Sequence, residues 1–201
     1  MIDAALLPWL HRVLAPPARA LHRRGIGADQ ITLAGFALGL LALPALAFGW
    51  FGAALVLIGL NRVADGLDGM VARLSQATDR GAFLDICLDF IFYSAVVFGF
   101  ALADPGANGL AAAALIFSFV GTGSSFLAFA IMAERRSIAN QRLPTKGFYY
   151  LGGLAEGTET ILFLALFCLF PAAFPVLAWI FACFCMVATV IRIVYGYNAL
   201  D

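Results

Sequence analysis

The amino-acid sequence predicts an all-α integral membrane protein with six transmembrane helices and an N-terminal amphipathic segment on the cytoplasmic surface. Composition is the first observation behind this prediction, since 63% of the 201 residues are hydrophobic and only 12% are charged. A water-soluble domain normally carries about 25% charged residues. The spacing of the charges is the second observation, and the side of the membrane on which the basic residues fall is the third. The net charge is zero, so the charge balance indicates no nucleic-acid partner.

Three long stretches of the chain lack Asp, Glu, Lys and Arg, and each exceeds the roughly 20 apolar residues that a membrane-spanning helix needs. They cover residues 31–60, 105–133 and 160–191. Proline and glycine residues divide the first and the last stretch, because proline breaks a helix and glycine favours a turn. The sequence therefore predicts six spans, at residues 31–49, 53–74, 81–103, 109–134, 150–170 and 175–197.

In this arrangement the basic residues fall on one side of the membrane, including Arg62, which lies in span two toward that same end. An excess of basic residues marks the cytoplasmic side, so we expect both termini to be cytoplasmic. Residues 1–30 are too polar to span, and we expect a broken amphipathic helix on the cytoplasmic surface. Residues 31–201 then form one membrane-embedded six-helix domain. In a bacterium the membrane is the inner one.

Spans two and three contain four aspartates in a region where charge is unfavourable. Asp65 and Asp68 are separated by three positions, and Asp85 and Asp89 by four, so each pair projects from one helix face. The short connection between the spans predicts adjacent antiparallel helices, on which the four carboxylates converge. Protons or cations must then neutralise the cluster. Oxygen ligands suit Mg²⁺, Mn²⁺ or Ca²⁺, and a pair of such ions is a common device for phosphoryl displacement.

The stretch DGLDGMVAR, followed after seven residues by GAFLDICLD, resembles the signature of the CDP-alcohol phosphotransferase family, DxxDGxxAR…GxxxDxxxD. The matching residues are Asp65, Asp68, Gly69, Ala72, Arg73, Gly81, Asp85 and Asp89. The QITL stretch at residues 30–33 also looks like the family's start of span one. Six spans with cytoplasmic termini match the family fold.

The resemblance implies a membrane transferase of phospholipid biosynthesis. Such an enzyme moves a phosphatidyl-type group from a CDP-linked lipid, such as CDP-diacylglycerol, to the hydroxyl of an alcohol and releases CMP. By position, the resemblance implies that two Mg²⁺ or Mn²⁺ ions are held by Asp65, Asp68, Asp85 and Asp89, and that Asp89 is also the general base. It places the cytidine-diphosphate portion against Asp68, Gly69, Ala72, Arg73 and Gly81. A homodimer is a further expectation from the family.

The sequence is less informative about the alcohol acceptor. Four basic residues suit a phosphorylated polyol, although cytoplasmic topology and anionic lipids also account for them; they are Arg135, Arg136, Arg142 and Lys146. Two acidic residues at the cytoplasmic end of span five, Glu156 and Glu159, suit hydroxyls, an ammonium group or pairing with Arg192. Phosphorylated and neutral or zwitterionic acceptors therefore both remain open.

Two other classes of function compete with the transferase. A cation or proton transporter uses carboxylates inside a membrane as well, but a pathway for ions has no need of the matched Gly, Ala and Arg positions. It predicts ion flux in sealed vesicles without CMP release. A structural membrane scaffold with a degenerate site predicts that Asp89→Asn leaves every activity-linked phenotype unchanged.

Overall fold

The computed structural model describes residues 2–136 and 157–200, and all regular secondary structure in these ranges is helical. The helices are α1 (Ile2–Arg23), α2 (Ala28–Leu40), α3 (Ala42–Ala47), α4 (Phe51–Leu74), α5 (Asp79–Ala103), α6 (Pro105–Arg135), α7 (Gly157–Leu169) and α8 (Phe174–Ala199). A 3₁₀ turn at Pro171–Ala173 precedes α8. The prediction of an all-α fold is confirmed.

Within residues 2–136 and 157–200, four helical segments are long and apolar enough to cross a membrane, and they coincide with predicted spans one, three, four and six. They are Ala28–Ala47, Asp79–Ala103, Pro105–Arg135 and Pro171–Ala199. Helix α4 is 24 residues long, but four charged side chains between Arg62 and Arg73 reduce its hydropathy. Helix α7 is apolar and shorter, and residues 150–156 of predicted span five lie outside the described residues. The number of six spans therefore stays a prediction.

Proline, glycine and capping residues set several helix ends. The predicted span one divides at Leu41 into α2 and α3, because Pro44 has no N–H with which to close a turn onto the preceding residues. Gly49 takes a φ of 74° in the turn before α4, a conformation that glycine adopts without a steric penalty. At the start of α6, the Asp104 carboxylate accepts a hydrogen bond from the Ala107 N–H at 3.0 Å, which satisfies one free donor of that helix end.

Helix α1 runs from Ile2 to Arg23 as one helix, where the sequence predicted a helix broken at its prolines. Ala18 is fully buried against Ile31 of α2 and Val71 of α4. This packing stabilises a helix that its own proline content disfavours, since tertiary contacts supply most helical stability in proteins. The contacts also fix α1 beside the end of α4 where the aspartates lie.

The end of the bundle away from the aspartates is filled by an aromatic cluster of Phe51, Phe100, Phe167 and Phe174. The ring of Phe100 stacks on Phe174 with centroids 4.6 Å apart and on Phe51 at 5.7 Å. Phe167 meets Phe100 edge-on at 5.9 Å. Along α5 the cluster lies about 16 Å from Asp89, at 1.5 Å per residue. Stacked and edge-on rings add to the packing of this end.

The two helices that carry the aspartates, α4 and α5, make most of their close contacts with α2 and α3 and few with each other. They meet through side chains, with Phe51 of α4 stacked on Phe100 of α5 and Arg62 of α4 paired with Asp89 of α5, and α2 lies against both helices. Two glycines allow this approach: a Cβ added at Gly35 would lie 2.4 Å from the Ala64 Cβ of α4, and one at Gly39 would lie 2.8 Å from the Phe92 ring of α5. Space remains between α4 and α5, and polar side chains line it.

Candidate active site

Three of the four aspartates meet at one point between α4 and α5. Asp65 and Asp68 come from α4 and Asp85 from α5, and one carboxylate oxygen of each lies within 4.8 Å of the other two. The three-residue spacing on α4 places its two carboxylates on one helix face. The structure therefore brings together three of the four residues that the sequence predicted to hold a metal.

This group of carboxylates fits a hard divalent cation. Mg²⁺ binds oxygen ligands at about 2.1 Å, so two of its ligands are at most about 4.2 Å apart. The three carboxylate oxygens lie within 4.8 Å of one another, so at most small side-chain rotations are needed to bring them onto one ion. Three carboxylates with no sulfur or imidazole ligand among them favour Mg²⁺ or Mn²⁺ over zinc.

A threonine of α2 holds one of these carboxylates in place. Asp68 is buried, with 6% of its surface exposed, and the Thr32 hydroxyl lies 2.5 Å from its Oδ2. A hydroxyl that donates to a carboxylate is a strong, charge-assisted hydrogen bond. Because α2 also contacts α5, this bond ties the position of Asp68 to the helix that supports both walls of the cavity.

Asp89 lies on the same cavity but is paired with a cation of the protein. Arg62 Nη2 donates to Asp89 Oδ1 at 2.7 Å, and Nη1 donates to Oδ2 at 3.4 Å. The Tyr93 hydroxyl donates to the same Oδ2 at 3.1 Å. The sequence predicted Asp89 as a fourth metal ligand and general base, and the structure places it beside the three convergent carboxylates, in an ion pair.

Arg62 itself is held by several groups. Its Nε and Nη2 donate to Asn61 Oδ1 at 2.8 and 2.5 Å, and its Nη1 donates to the Tyr93 hydroxyl at 2.7 Å. The guanidinium lies 4.9 Å from the centroid of the Phe92 ring, within the range of a cation–π contact. Asp65 lies farther away, with Oδ2 at 3.7 Å from Nη1.

One cavity adjoins the four aspartates together with Thr32, Asn61 and Arg62. Its walls come from α2, α4 and α5, and the residues that line it are Thr32, Gly35, Phe36, Asn61, Arg62, Asp65, Asp68, Asp85, Leu88 and Asp89. Arg62 is the one basic residue among these lining residues. The arrangement suits a ligand that brings divalent cations or other positive charge to the four carboxylates.

The residues that the sequence predicted to bind the nucleotide lie in two places around the acidic group. On α4, the exposed Arg73 guanidinium lies over Gly69, with its nitrogens 3.8 and 3.9 Å from the position of an added Cβ. Half-buried Ala72 is on the same helix. On α5, the corresponding Cβ position of Gly81 is 3.1 Å from Asp29 Oδ1. A side chain at Gly81 would fill the narrow space between the starts of α2 and α5.

The predicted acceptor residues are only partly described. Arg135 and Arg136 are exposed at the end of α6. Glu159 lies in the first turn of α7, and its Oε2 is buried with no hydrogen-bond partner within residues 2–136 and 157–200. Arg192 donates to the Thr122 carbonyl at 2.8 Å. The other three predicted residues lie outside the described residues; they are Arg142, Lys146 and Glu156.

The sequence analysis gave no part in binding or catalysis to four polar residues that surround the aspartates: Thr32, Asn61, Arg62 and Tyr93. For two of them the helical spacing is a usable signal. Arg62 precedes Asp65 by three positions, and Tyr93 follows Asp89 by four, so each shares a face with a motif aspartate. The roles of Thr32 and Asn61 depend on the packing of α2 against α4, which no local pattern indicates.

Comparison with known proteins gives consistent results. Residues 26–194 match the model of the family described as CDP-alcohol phosphatidyltransferase. The inner membrane protein YnjF of Escherichia coli (strain K12) is 54% identical over 200 residues, which cover 100% of this chain and 97% of that protein. The phosphatidylinositol phosphate synthase of Streptomyces avermitilis is 40% identical over 123 residues, or 58% of this chain and 50% of that protein.

A crystal structure of Mycobacterium tuberculosis phosphatidylinositol phosphate synthase with CDP-DAG bound has a similar fold. The match has a TM-score of 0.67 and 23% sequence identity, and it covers 92% of this chain and 94% of that one. The apo form of the same protein matches with a TM-score of 0.63 and 22% identity, over 89% and 93% of the two chains. The matched family segment contains the whole signature of aspartates and glycines, so the resemblance found in the sequence is confirmed.

Proposed function

The chain belongs to the CDP-alcohol phosphatidyltransferase family, and from this premise we propose that it transfers a phosphatidyl group from CDP-diacylglycerol to the hydroxyl of an alcohol, with release of CMP. The observation that carries the proposal is the convergence of Asp65, Asp68 and Asp85 on one cavity that also contains Asp89. The related structure from Mycobacterium tuberculosis is described as having CDP-DAG bound, which supports this donor.

The proposed reaction depends on Mg²⁺ or Mn²⁺, held by Asp65, Asp68 and Asp85. The family expectation also makes Asp89 a ligand of a second ion, which would have to compete with Arg62 for this carboxylate. When bound, the ions neutralise the pyrophosphate of the donor and stabilise the charge that develops on its oxygens. Without such neutralisation, the carboxylates that line the cavity would repel the negatively charged donor.

The nucleotide part of the donor is proposed to lie against the signature residues Asp68, Gly69, Ala72, Arg73 and Gly81. Exposed Arg73 is suited to a phosphate oxygen, because a guanidinium forms strong paired hydrogen bonds with phosphate. The small residues at 69 and 81 leave room for the nucleotide to approach the helix backbone. The lipid tails then remain among the apolar helices.

In the proposed chemical step, the acceptor hydroxyl oxygen forms a bond to the phosphorus that carries the diacylglycerol. The bond from this phosphorus to the bridging oxygen breaks, and CMP leaves with the electron pair. The proton of the hydroxyl passes to the carboxylate of Asp89. Arg62 and Tyr93 orient this carboxylate, so it is fixed before the acceptor arrives.

The orientation of the protein in the membrane follows from the distribution of its basic residues. We infer six spans, with both termini and the opening of the active site in the cytoplasm. Helix α1 then lies on the cytoplasmic surface, and in a bacterium the membrane is the inner one, as the name of the Escherichia coli relative states for that protein. A homodimer is expected from the family.

Two classes of acceptor are consistent with the residues present. Arg135 and Arg136, together with Arg142 and Lys146, would bind the phosphate of a polyol phosphate. One relative is named phosphatidylinositol phosphate synthase, which makes inositol phosphate a necessary member of any test panel. Glu156 and Glu159 would instead bind hydroxyls or an ammonium group.

The test uses the purified full chain in lipid nanodiscs with CDP-diacylglycerol, Mg²⁺ or Mn²⁺, and separate acceptors: glycerol phosphate, inositol phosphate, inositol, glycerol, serine and ethanolamine. We expect CMP release that requires both a metal ion and one class of acceptor. Binding of CDP-diacylglycerol without CMP release for any acceptor would contradict the proposal. Cation or proton flux in sealed vesicles, again without CMP release, would favour a transporter.

A further inference from the structure

The guanidinium of Arg62 is fully occupied by partners within the protein. An arginine side chain has five N–H donors. The Nε donor and one Nη2 donor point to Asn61 Oδ1, the second Nη2 donor points to Asp89 Oδ1, and Nη1 serves Asp89 Oδ2 and the Tyr93 hydroxyl. The side chain is 10% exposed. Arg62 therefore has no donor left for a phosphate of the substrate, although it lines the substrate cavity.

The partners of Arg62 also determine how much of Asp89 stays available. A carboxylate has about four lone-pair positions. Arg62 and Tyr93 occupy two of them on Oδ2, and Arg62 occupies one on Oδ1. One position on Oδ1 is left, which is enough to accept one proton from an acceptor hydroxyl. The neighbouring positive charge also weakens the attraction of Asp89 for a second cation.

Helix α2 fixes the orientation of this network from outside. The Asn61 amide donates from Nδ2 to the Gly35 carbonyl at 3.0 Å, so its Oδ1 faces Arg62. Asn61 is buried, with 5% of its surface exposed. The chain of contacts thus runs from the α2 backbone through Asn61 and Arg62 on α4 to Asp89 on α5.

We propose that Arg62 is a positioning residue for Asp89: it holds this carboxylate in one orientation, with a single position of Oδ1 free for the acceptor, and it competes with divalent cations for that carboxylate. The inference rests on the proposed function for the role of Asp89 as the base. The expected effect of Arg62 on metal binding can be measured even if the protein has no turnover. Asn61 and Tyr93 belong to the same hydrogen-bond network, since they set the plane of the guanidinium.

The first experiment measures Mn²⁺ binding to the full chain in nanodiscs without donor, from the electron paramagnetic resonance signal of free Mn²⁺. In Arg62→Gln, Asp89 loses its cation and Asp65 loses a more distant positive charge at 3.7 Å, and we expect Mn²⁺ to bind about tenfold more tightly. In Arg62→Gln/Asp89→Asn the affinity should return to within about threefold of the wild type, because one charge of each sign is removed. Arg80→Gln removes an exposed charge from α5 and should change the affinity less than about twofold.

Unchanged or weaker Mn²⁺ binding by a folded Arg62→Gln protein, compared with wild type, would overturn the proposal. Folding is checked by size-exclusion chromatography and by the thermal unfolding midpoint. If Arg62→Gln does not fold, Tyr93→Phe takes its place, because it removes only one hydroxyl from the network. It should bind Mn²⁺ about twofold to threefold more tightly, and an affinity equal to or below that of the wild type would overturn the proposal.

The second experiment separates positioning from substrate binding. Arg62→Lys keeps the charge but loses the paired hydrogen bonds, so we expect kcat to fall about 10- to 100-fold while KM for CDP-diacylglycerol stays within about threefold. A higher KM with unchanged kcat would show that Arg62 binds the donor, and would overturn the proposal. If no acceptor gives turnover in wild type, the proposed function fails, and the Mn²⁺ titrations still decide the role of Arg62.

Discussion

The two ends of the α4–α5 pair differ in what holds them. At one end, Phe51 of α4 stacks on Phe100 of α5 with ring centroids 5.7 Å apart. At the other end, Asp65 and Asp68 of α4 face Asp85 of α5, with carboxylate oxygens within 4.8 Å of one another. Close packing stabilises the first end, whereas like charges destabilise the second. The aromatic end and α2 therefore hold the carboxylates near one another in a place that their own repulsion disfavours.

This division predicts that changes at the acidic end affect activity more than stability, and that changes at the aromatic end do the opposite. Stability and function often compete in this way, because an active site brings together groups that repel one another. Substitutions at each end, and at the glycine that brings α2 against α4, are ways to test the division.

The largest effect is expected for Asp85→Asn. The change removes one of three convergent carboxylates while keeping the shape of the side chain. Loss of a metal ligand removes several kcal/mol of charge stabilisation, so CMP release should fall about a thousandfold or more. The thermal unfolding midpoint without metal should stay equal or rise, because one repulsive charge is gone.

Asp104→Asn is the matched control for that substitution. Asp104 caps α6 at the end of α5 opposite to the acidic group, and asparagine caps helices as well as aspartate does. Its turnover should remain within about twofold of the wild type. If Asp85→Asn retained wild-type CMP release, the three convergent carboxylates would have no part in the mechanism.

The next effect belongs to the aromatic end, where Phe100→Ala should lower the free energy of unfolding by about 3 kcal/mol. Phe100 is fully buried and contacts three other rings of the aromatic cluster, so its removal leaves a cavity. Unfolding in a denaturing detergent titration measures the loss. Turnover per folded molecule should change less than about twofold, since the ring lies about 16 Å along α5 from Asp89.

Phe117→Ala tests the same chemical change on a ring that is 67% exposed, and should destabilise by less than about 1 kcal/mol. Equal losses of unfolding free energy for Phe100→Ala and Phe117→Ala would mean that the aromatic cluster does not stabilise this end of the bundle. A large fall in kcat for folded Phe100→Ala would show that the two ends are coupled rather than divided.

Gly35→Ala should affect both stability and activity, because Gly35 sets the distance between α2 and the acidic end. The added Cβ would lie 2.4 Å from the Ala64 Cβ, so the helices must separate, at a loss of about 2 kcal/mol. The separation also moves Thr32 from Asp68 and should lower kcat. Gly59→Ala on α4 meets nothing within 4 Å, and its better helix propensity should stabilise by up to about 1 kcal/mol.

Much of this molecule could be predicted from local patterns. Helical spacing placed Asp65 and Asp68 on one face, and the resemblance to the family supplied the signature residues. The packing of α2 against both α4 and α5 could not be predicted, because it depends on helix contacts at Gly35 and Gly39 with residues that are distant in sequence. The Arg62–Asp89 ion pair could not be predicted either, since its partners lie 27 positions apart in the sequence.

The smallest effect is expected at Thr32, which acts on the acidic group through one hydrogen bond. Its hydroxyl lies 2.5 Å from Asp68 Oδ2, and groups that orient a metal ligand commonly contribute 10- to 100-fold to metal affinity or activity, so Thr32→Val should weaken Mn²⁺ binding about tenfold. Valine keeps the branched shape, so the unfolding midpoint should barely change. Thr32→Ser retains the hydroxyl and should bind Mn²⁺ within about threefold of wild type. Equal Mn²⁺ affinity in the valine and serine variants would mean that packing of α2, rather than this hydrogen bond, sets the position of Asp68.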